Sequence, residues 1–209
     1  MHIAITGNIG AGKTTLAEKL ADHYGWEVYY EAVDGNPYLA DFYTDMEKWA
    51  FHLQVFFLNS RFEQVLKIKG QEDKTIIQDR TIYEDAYIFA QNLADSGKLN
   101  PTDFSTYKSL FQTIMQAVSP PDLMIYLRAD VPKLLEQIQK RGRDYERSID
   151  PNYLASLNTL YAEFSGRYKH GKLITIDVNE MDFVQNESDF RSITKQIEKQ
   201  INLGKQLKI

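Results

Sequence analysis

Short apolar runs alternate with longer segments of helical spacing along the whole chain. His2-Ile-Ala-Ile-Thr6 reads as a buried strand, and Thr14 to Tyr24 follows it with Leu16, Leu20 and Tyr24 on one helical face. Trp26 to Glu31 predicts a second strand, reached through Gly25, and Asp34-Gly-Asn-Pro37 reads as a turn or loop. Asp45 to Lys69 is the longest helical stretch, with Trp49, Leu53, Phe56 and Phe57 on one face and Gly70 as its stop. Lys74 to Asp79 predicts a third strand. Helical patterns follow at about 83–96 and 102–118, with Pro101 suited to a first turn. Pro120-Pro121 marks a break before a fourth strand, Asp122 to Leu127. Val131 to Lys140 predicts a short helix, Asn152 to Tyr168 a longer one, Lys172 to Val178 a fifth strand, and Phe190 to Ile201 a closing helix. Five short apolar strands separated by helices predict an α/β fold, a five-stranded parallel sheet flanked by helices in three layers. The length, 209 residues, suits a single domain over 1–209.

Composition narrows the chemistry. There is no cysteine, which excludes disulfide scaffolds, thiolate metal sites and cysteine nucleophiles. A formal net charge of −5 argues against a nucleic-acid coat or a polybasic membrane binder. No apolar run approaches the ~20 residues needed to span a bilayer. No targeting segment is visible either, so a cytoplasmic location is expected.

The strongest motif is Gly7-Asn8-Ile9-Gly10-Ala11-Gly12-Lys13-Thr14, which fits G-x-x-x-x-G-K-[ST] and lies between a predicted strand and a predicted helix. Glycines let successive backbone N–H groups curl around phosphate oxygens. The helix start adds free donors and partial positive charge. Lys13 would meet the β- and γ-phosphates, and the Thr14 hydroxyl suits Mg²⁺. Carboxylates stand where an α/β sheet places its site, Glu31 at the end of the second strand and Asp79, beside Arg80, at the end of the third. Either carboxylate could take a proton from an attacking hydroxyl or hold Mg²⁺ through water. Gln54 and Arg61 are two helical turns apart and share a face, and Asp85 is a candidate partner for Arg61. From Lys140 to Arg147 the cations Lys140, Arg141, Arg143 and Arg147 outnumber Asp144 and Glu146, and the stretch reads as a phosphate lid over about 140–149.

Taken together, the ordered motifs resemble the deoxynucleoside kinase family, and the bacterial deoxyadenosine-type members most. The resemblance is carried by the P-loop, Glu31-Ala-Val, Asn36-Pro-Tyr-Leu39, Trp49 with Gln54 and Arg61, Asp79-Arg-Thr, Arg141-Gly-Arg143 with Glu146, and Asp177-Val-Asn-Glu. It implies a P-loop kinase fold with an arginine lid. It also implies transfer of the γ-phosphoryl of ATP, with Mg²⁺, to a deoxynucleoside 5′-hydroxyl. By the same resemblance Glu31 is the proton acceptor, Tyr43 and Glu146 hold the sugar 3′-hydroxyl, and Gln54, Arg61 and Asp85 read the base. Asp79 and Arg80 match the Glu/Asp-Arg-Ser motif near Mg²⁺. Lys13, Thr14, Thr15, Arg141 and Arg143 bind the donor phosphates, and Asp182 and Phe183 lie at the donor base. Deoxyadenosine is the first expectation, then deoxyguanosine or deoxycytidine, and a homodimer is implied. Three positions depart from the family pattern: Ala32 for proline, Thr81 for serine, and Gln137 where eukaryotic members carry a lid arginine. Arg147 or Lys140 would compensate for the last. A nucleoside monophosphate kinase and a non-catalytic P-loop regulator are the alternatives. The regulator would need a D-x-x-G switch where Gln78-Asp-Arg-Thr81 stands.

Overall fold

A computed structural model describes residues 1–33, 35–71, 73–146 and 149–206, the last five by their backbone. Arg147, offered by the sequence as part of the lid, lies outside the described residues. Five strands, β1 (His2–Gly7), β2 (Glu27–Tyr29), β3 (Ile76–Asp79), β4 (Leu123–Arg128) and β5 (Lys172–Asp177), form one parallel sheet in the order β2-β3-β1-β4-β5. The central strands are apolar on both faces because both faces are covered, and Ile3, Ala4, Ile5, Ile76 and Ile77 have no solvent exposure. In β4, Leu123, Ile125, Tyr126 and Leu127 join one core cluster and Met124 the other, so the strand feeds both layers.

One cluster packs the sheet against α1 (Lys13–Tyr24), α7 (Val131–Arg141) and α9 (Glu187–Gln206) through Leu16, Leu20, Leu134, Ile138, Ile193 and Ile197. The other packs it against α3 (Met46–Lys69) and α6 (Pro101–Met115) through Leu53, Leu58, Tyr107 and Phe111. Each such side chain contributes roughly 1.5–3 kcal/mol by leaving water. Helix ends carry the chemistry their sequences suggest. Asp45 accepts a hydrogen bond from the Lys48 N–H at 3.1 Å, Asn100 caps α6 beside Pro101, and Gly25 closes α1 in the left-handed conformation.

The connection from β1 to β2 passes to one side of β1, and that from β3 to β4 passes to the other. Right-handed crossovers then place the following helices on opposite faces and open a crevice at the carboxyl ends of β1 and β3.

Four details differ from the expected elements. β2 stops at Tyr29, so Glu31 sits in the loop beyond the strand. A short helix, α2 (Leu39–Thr44), follows the Asn36-Pro37 turn where no helix was expected. The helix expected over 83–96 is three pieces, α4 (Ile82–Glu84), a π-helical turn (Asp85–Ala90) and α5 (Gln91–Asp95). A 3₁₀ turn (Asp144–Glu146) lies within the lid, ahead of α8 (Pro151–Arg167).

Candidate active site

The P-loop leaves β1 at Gly7 and runs into α1. Gly10 and Gly12 have φ of 85° and 87°, which L side chains rarely adopt. A Cβ on Gly10 would lie 2.6 Å from the Leu134 carbonyl oxygen, and one on Gly12 would lie 2.9 Å from the Phe183 ring. No side chain caps α1, so its first N–H groups remain available to an anion. Asn8 pins the loop from below: its amide donates to the Leu154 carbonyl at 2.9 Å and to Asn158 at 2.8 Å, and its oxygen accepts from the Ile9 N–H.

Lys13 is buried and donates to the Asn8 carbonyl at 3.0 Å. Burial, helped by the nearby Arg80 charge, lowers its pKa to about 8, against the opposing pull of Asp79, Glu31 and Glu84. The Thr14 hydroxyl donates to Asp79 Oδ2 at 2.5 Å. Burial raises the Asp79 pKa, with Lys13 opposing it. Asp79 Oδ1 has no hydrogen-bond partner among the described residues, which leaves a hard oxygen donor free beside Thr14. That pair suits a magnesium ion.

The P-loop opens into a cavity of about 680 Å³. Of the sequence-predicted residues, Ile9, Gly10, Gly12, Lys13, Thr14, Thr15, Glu31, Tyr43, Gln54, Asp79, Arg80, Asp85, Arg141, Arg143 and Glu146 line it, and so do Gln137 and Lys140. Gly7, Asn8 and Ala11 stand behind its wall. Arg61 also does not line it. That side chain is fully buried and donates to Glu31 at 2.8 Å, with Asp85 at 3.2 Å. Asp182 is turned to its own loop, accepting from the Val184 and Gln185 N–H groups, while Val184 and Gln185 themselves reach the cavity. Phe183 packs on Gly12.

Opposite Lys13, Glu31 is held between two guanidinium groups, Arg61 and Arg80, each 2.8 Å from Oε1, with a fifth of its side chain exposed. Burial alone would raise its pKa. The charges of Arg80, Arg61 and Lys13 overcome that and bring it down to about 2, so Glu31 is a carboxylate at any physiological pH. Asp85 differs. Burial lifts its pKa to about 7 against the pull of Arg61 and Arg80.

Beyond these charges Leu53, Phe57 and Phe89 form apolar walls, and Gln54 is buried among them with its Oε1 unpaired among the described residues. The Arg80 guanidinium lies over the Phe89 ring at 4.6 Å. At the lid, Arg141 donates to Glu146 at 2.6 Å, Arg143 lies 3.5 Å from the same carboxylate, and Tyr43 stacks on Tyr145. The lid arginines therefore enter the cavity paired to Glu146.

Sequence reasoning missed Glu84 and Tyr161. Glu84 is fully buried and accepts from Arg80, from Tyr161 and from the Thr81 N–H. The signal was there in Thr81-x-x-Glu84, a capping-box spacing directly after Asp79-Arg80. Arg80 itself has φ of 72°, a conformation costing roughly 1–3 kcal/mol for a residue with a Cβ.

Comparison with known proteins fits this arrangement. The family model for deoxynucleoside kinase matches residues 3–202. The chain belongs to the deoxynucleoside kinase family. It is 44% identical to the deoxyadenosine kinase of Dictyostelium discoideum, over 89% of this chain and 75% of that one. It is 36% identical to the deoxyadenosine/deoxycytidine kinase of Bacillus subtilis, over 93% and 90% of the two chains. Among solved structures, deoxyadenosine kinase from M. mycoides with bound dATP superimposes with a TM-score of 0.84 at 31% identity, covering 95% of this chain and 99% of that one. The kinase thus shares its fold and most of its length with enzymes of this family.

Proposed function

We propose that this kinase transfers the γ-phosphoryl group of ATP to the 5′-hydroxyl of a deoxynucleoside, deoxyadenosine ahead of deoxyguanosine and deoxycytidine, in nucleotide salvage. The observation that carries the reading is one cavity holding a P-loop lysine at one end and, facing it, a carboxylate kept ionised by two arginines.

In this reading the P-loop N–H groups and Lys13 hold the donor phosphates. Thr14 and Asp79 would hold Mg²⁺, which supplies neutralising charge at those phosphates. Arg80 sits between Glu31 and the donor and offsets the charge of the group in flight. Glu31 accepts a hydrogen bond from the 5′-hydroxyl and aligns it. A carboxylate paired to two arginines is a weak base, so the proton passes to Glu31 late, once bonding to phosphorus has acidified the hydroxyl. Catalysis is mainly positioning and charge neutralisation. Arg141 and Arg143 close over the donor, and Tyr43 and Glu146 receive the sugar 3′-hydroxyl.

The free amide of Gln54 can meet an adenine edge with one donor and one acceptor. Arg61 positions Asp85 and Glu31 from behind. The deoxyadenosine preference is also supported by the names of the Dictyostelium and M. mycoides relatives. A homodimer in the cytoplasm belongs to the same reading, and no helix among the described residues is long and apolar enough to cross a membrane.

The test is phosphorylation of deoxynucleosides, ribonucleosides and nucleoside monophosphates by ATP with Mg²⁺. Deoxyadenosine should give the highest kcat/KM. Phosphorylation of monophosphates but not nucleosides would replace this reading with that of a monophosphate kinase.

A further inference from the structure

Glu84 is a buried charge that touches no substrate. It does not line the cavity, its side chain has no exposure, and it lies on α4 directly after the strained Arg80. Its Oε2 accepts the Thr81 N–H at 2.7 Å. Its Oε1 accepts Arg80 Nη1 at 3.2 Å and the Tyr161 hydroxyl at 2.7 Å, and receives the Gly7 N–H at a longer 3.4 Å. Tyr161, from α8, closes the circuit. Its oxygen accepts Arg80 Nη1 at 3.0 Å, and its hydroxyl lies 2.9 Å from the Gly7 carbonyl oxygen.

This arrangement exceeds what folding requires. A capping box needs one contact from Glu84 to the Thr81 N–H. Here the second oxygen is spent on Arg80 and on the residue that begins the P-loop. Arg80 pairs with Glu31 at Nε by charge and hydrogen-bonds Glu84 and Tyr161 through Nη1, so the directional contacts that orient the planar group come from Glu84 and Tyr161. Without Glu84 the guanidinium keeps the Glu31 ion pair and the Tyr161 hydroxyl but loses its charged hydrogen-bond acceptor at Nη1, and its orientation is held less firmly.

We infer that Glu84, with Tyr161, is a positioning residue for the reaction: it fixes the Arg80 guanidinium and the start of the P-loop to each other as one unit. This rests on the reading of Arg80 as the arginine that neutralises the transferring group.

The test uses Glu84→Gln and Tyr161→Phe in the full chain, with turnover expressed per folded protein from circular dichroism. Glutamine retains the acceptor for Thr81 but not the charge toward Arg80. Both variants should lose kcat, about 10–100-fold for Glu84→Gln and less for Tyr161→Phe, with KM for either substrate changed less than about threefold. In an Arg80→Ala background Glu84→Gln should add little further loss, because the group it positions is gone. A fall in melting temperature with normal kcat per folded enzyme would overturn the inference, as would full additivity with Arg80→Ala. If Glu84→Gln does not fold, Tyr161→Phe decides by the same two measurements. Should Arg80→Ala alone leave turnover intact, the underlying reading of Arg80 fails and takes this inference with it. A crippled Arg80→Ala enzyme beside unaffected Glu84 and Tyr161 variants sinks this inference alone.

Discussion

At the P-loop end of the cavity the groups that would meet phosphate are mostly backbone N–H donors of one continuous loop. At the opposite end the polar groups are side chains delivered by separate elements: Glu31 from the loop after β2, Gln54 from α3, Arg80 from the end of β3, Asp85 from the π-helical turn and Glu146 from the 3₁₀ turn, with Arg61 of α3 buried behind them. The charges are handled differently too. Lys13 is buried with a depressed pKa, so its cation is held at a cost to the empty protein. Arg61, Arg80 and Glu31 compensate one another, so the Glu31 charge stabilises the fold as well as any bound acceptor, while Asp85, lifted to about 7 by burial, adds little charge of its own. One end is a receptor waiting for its counter-charge. The other is already neutralised.

The largest expected effects test that division directly. Lys13→Ala should reduce kcat by about 10³-fold or more through loss of donor-phosphate stabilisation. Its melting temperature should stay close to that of the parent, because the removed charge was not stabilising the empty fold. Glu31→Ala should reduce kcat by at least about 10²-fold while ATP still binds, measured by calorimetry. Turnover near the parent value in the Glu31 variant would remove it from the reaction. A large loss of stability in the Lys13 variant would show that the P-loop end is not a waiting receptor.

Arg61→Ala separates the ends by stability. It strips the compensating cation from Glu31 and Asp85 in a fully buried position. Breaking a buried pair from one side costs about 3–5 kcal/mol. In a protein of this size that lowers the melting temperature by on the order of 10 °C. Adding Glu31→Gln should recover part of the loss, since that orphaned carboxylate is then neutral, whereas Asp85, with a pKa of about 7 even beside Arg61, takes up a proton unaided. No recovery would mean that Arg61 stabilises through packing on Phe57, over whose ring it lies at 5.4 Å.

The same contrast governs what could be read in the sequence. The P-loop was legible because its determinants are local: glycines at positive φ, a lysine, a hydroxyl, and the flanking strand and helix. The shared face of Gln54 and Arg61 was legible from helical spacing, and Glu31 with Asp79 from their places near strand ends. What spacing could not convey was depth. Arg61 looked like a residue that meets ligand, yet it is sealed behind Glu31 and Asp85. Asp182 looked like a donor contact, yet its carboxylate closes its own loop. The π-helical turn that places Asp85 has no pattern distinct from an α-helix at this length. Arg80's positive φ falls at the turn from β3 into the Thr81 cap, and its side-chain anchors come from residues as distant as Tyr161. Long-range compensation of this sort leaves little local trace.

The smallest predicted effect is also the most direct check on Lys13. Its ordinary pKa of 10.5 falls to about 8 in the folded protein, so the unfolded chain binds the proton more tightly. Stability of the ligand-free protein should therefore rise between pH 8 and 10.5, because the penalty for burying the cation disappears as it deprotonates. Donor binding should move the opposite way. ATP prefers the protonated lysine, and above pH 8 each further unit requires a proton to be taken up with it, weakening affinity by up to about tenfold per unit. Lys13→Met removes the group and keeps its length, so the variant should lose both slopes together. Calorimetric titration with ATP and thermal unfolding across pH 7–10, each as parent minus variant, isolate Lys13 from the tyrosines that titrate nearby. Parallel slopes in the two differences, or a surviving slope in neither, would mean that Lys13 is charged at ordinary strength and that the P-loop end, like the opposite one, is compensated before any ligand arrives.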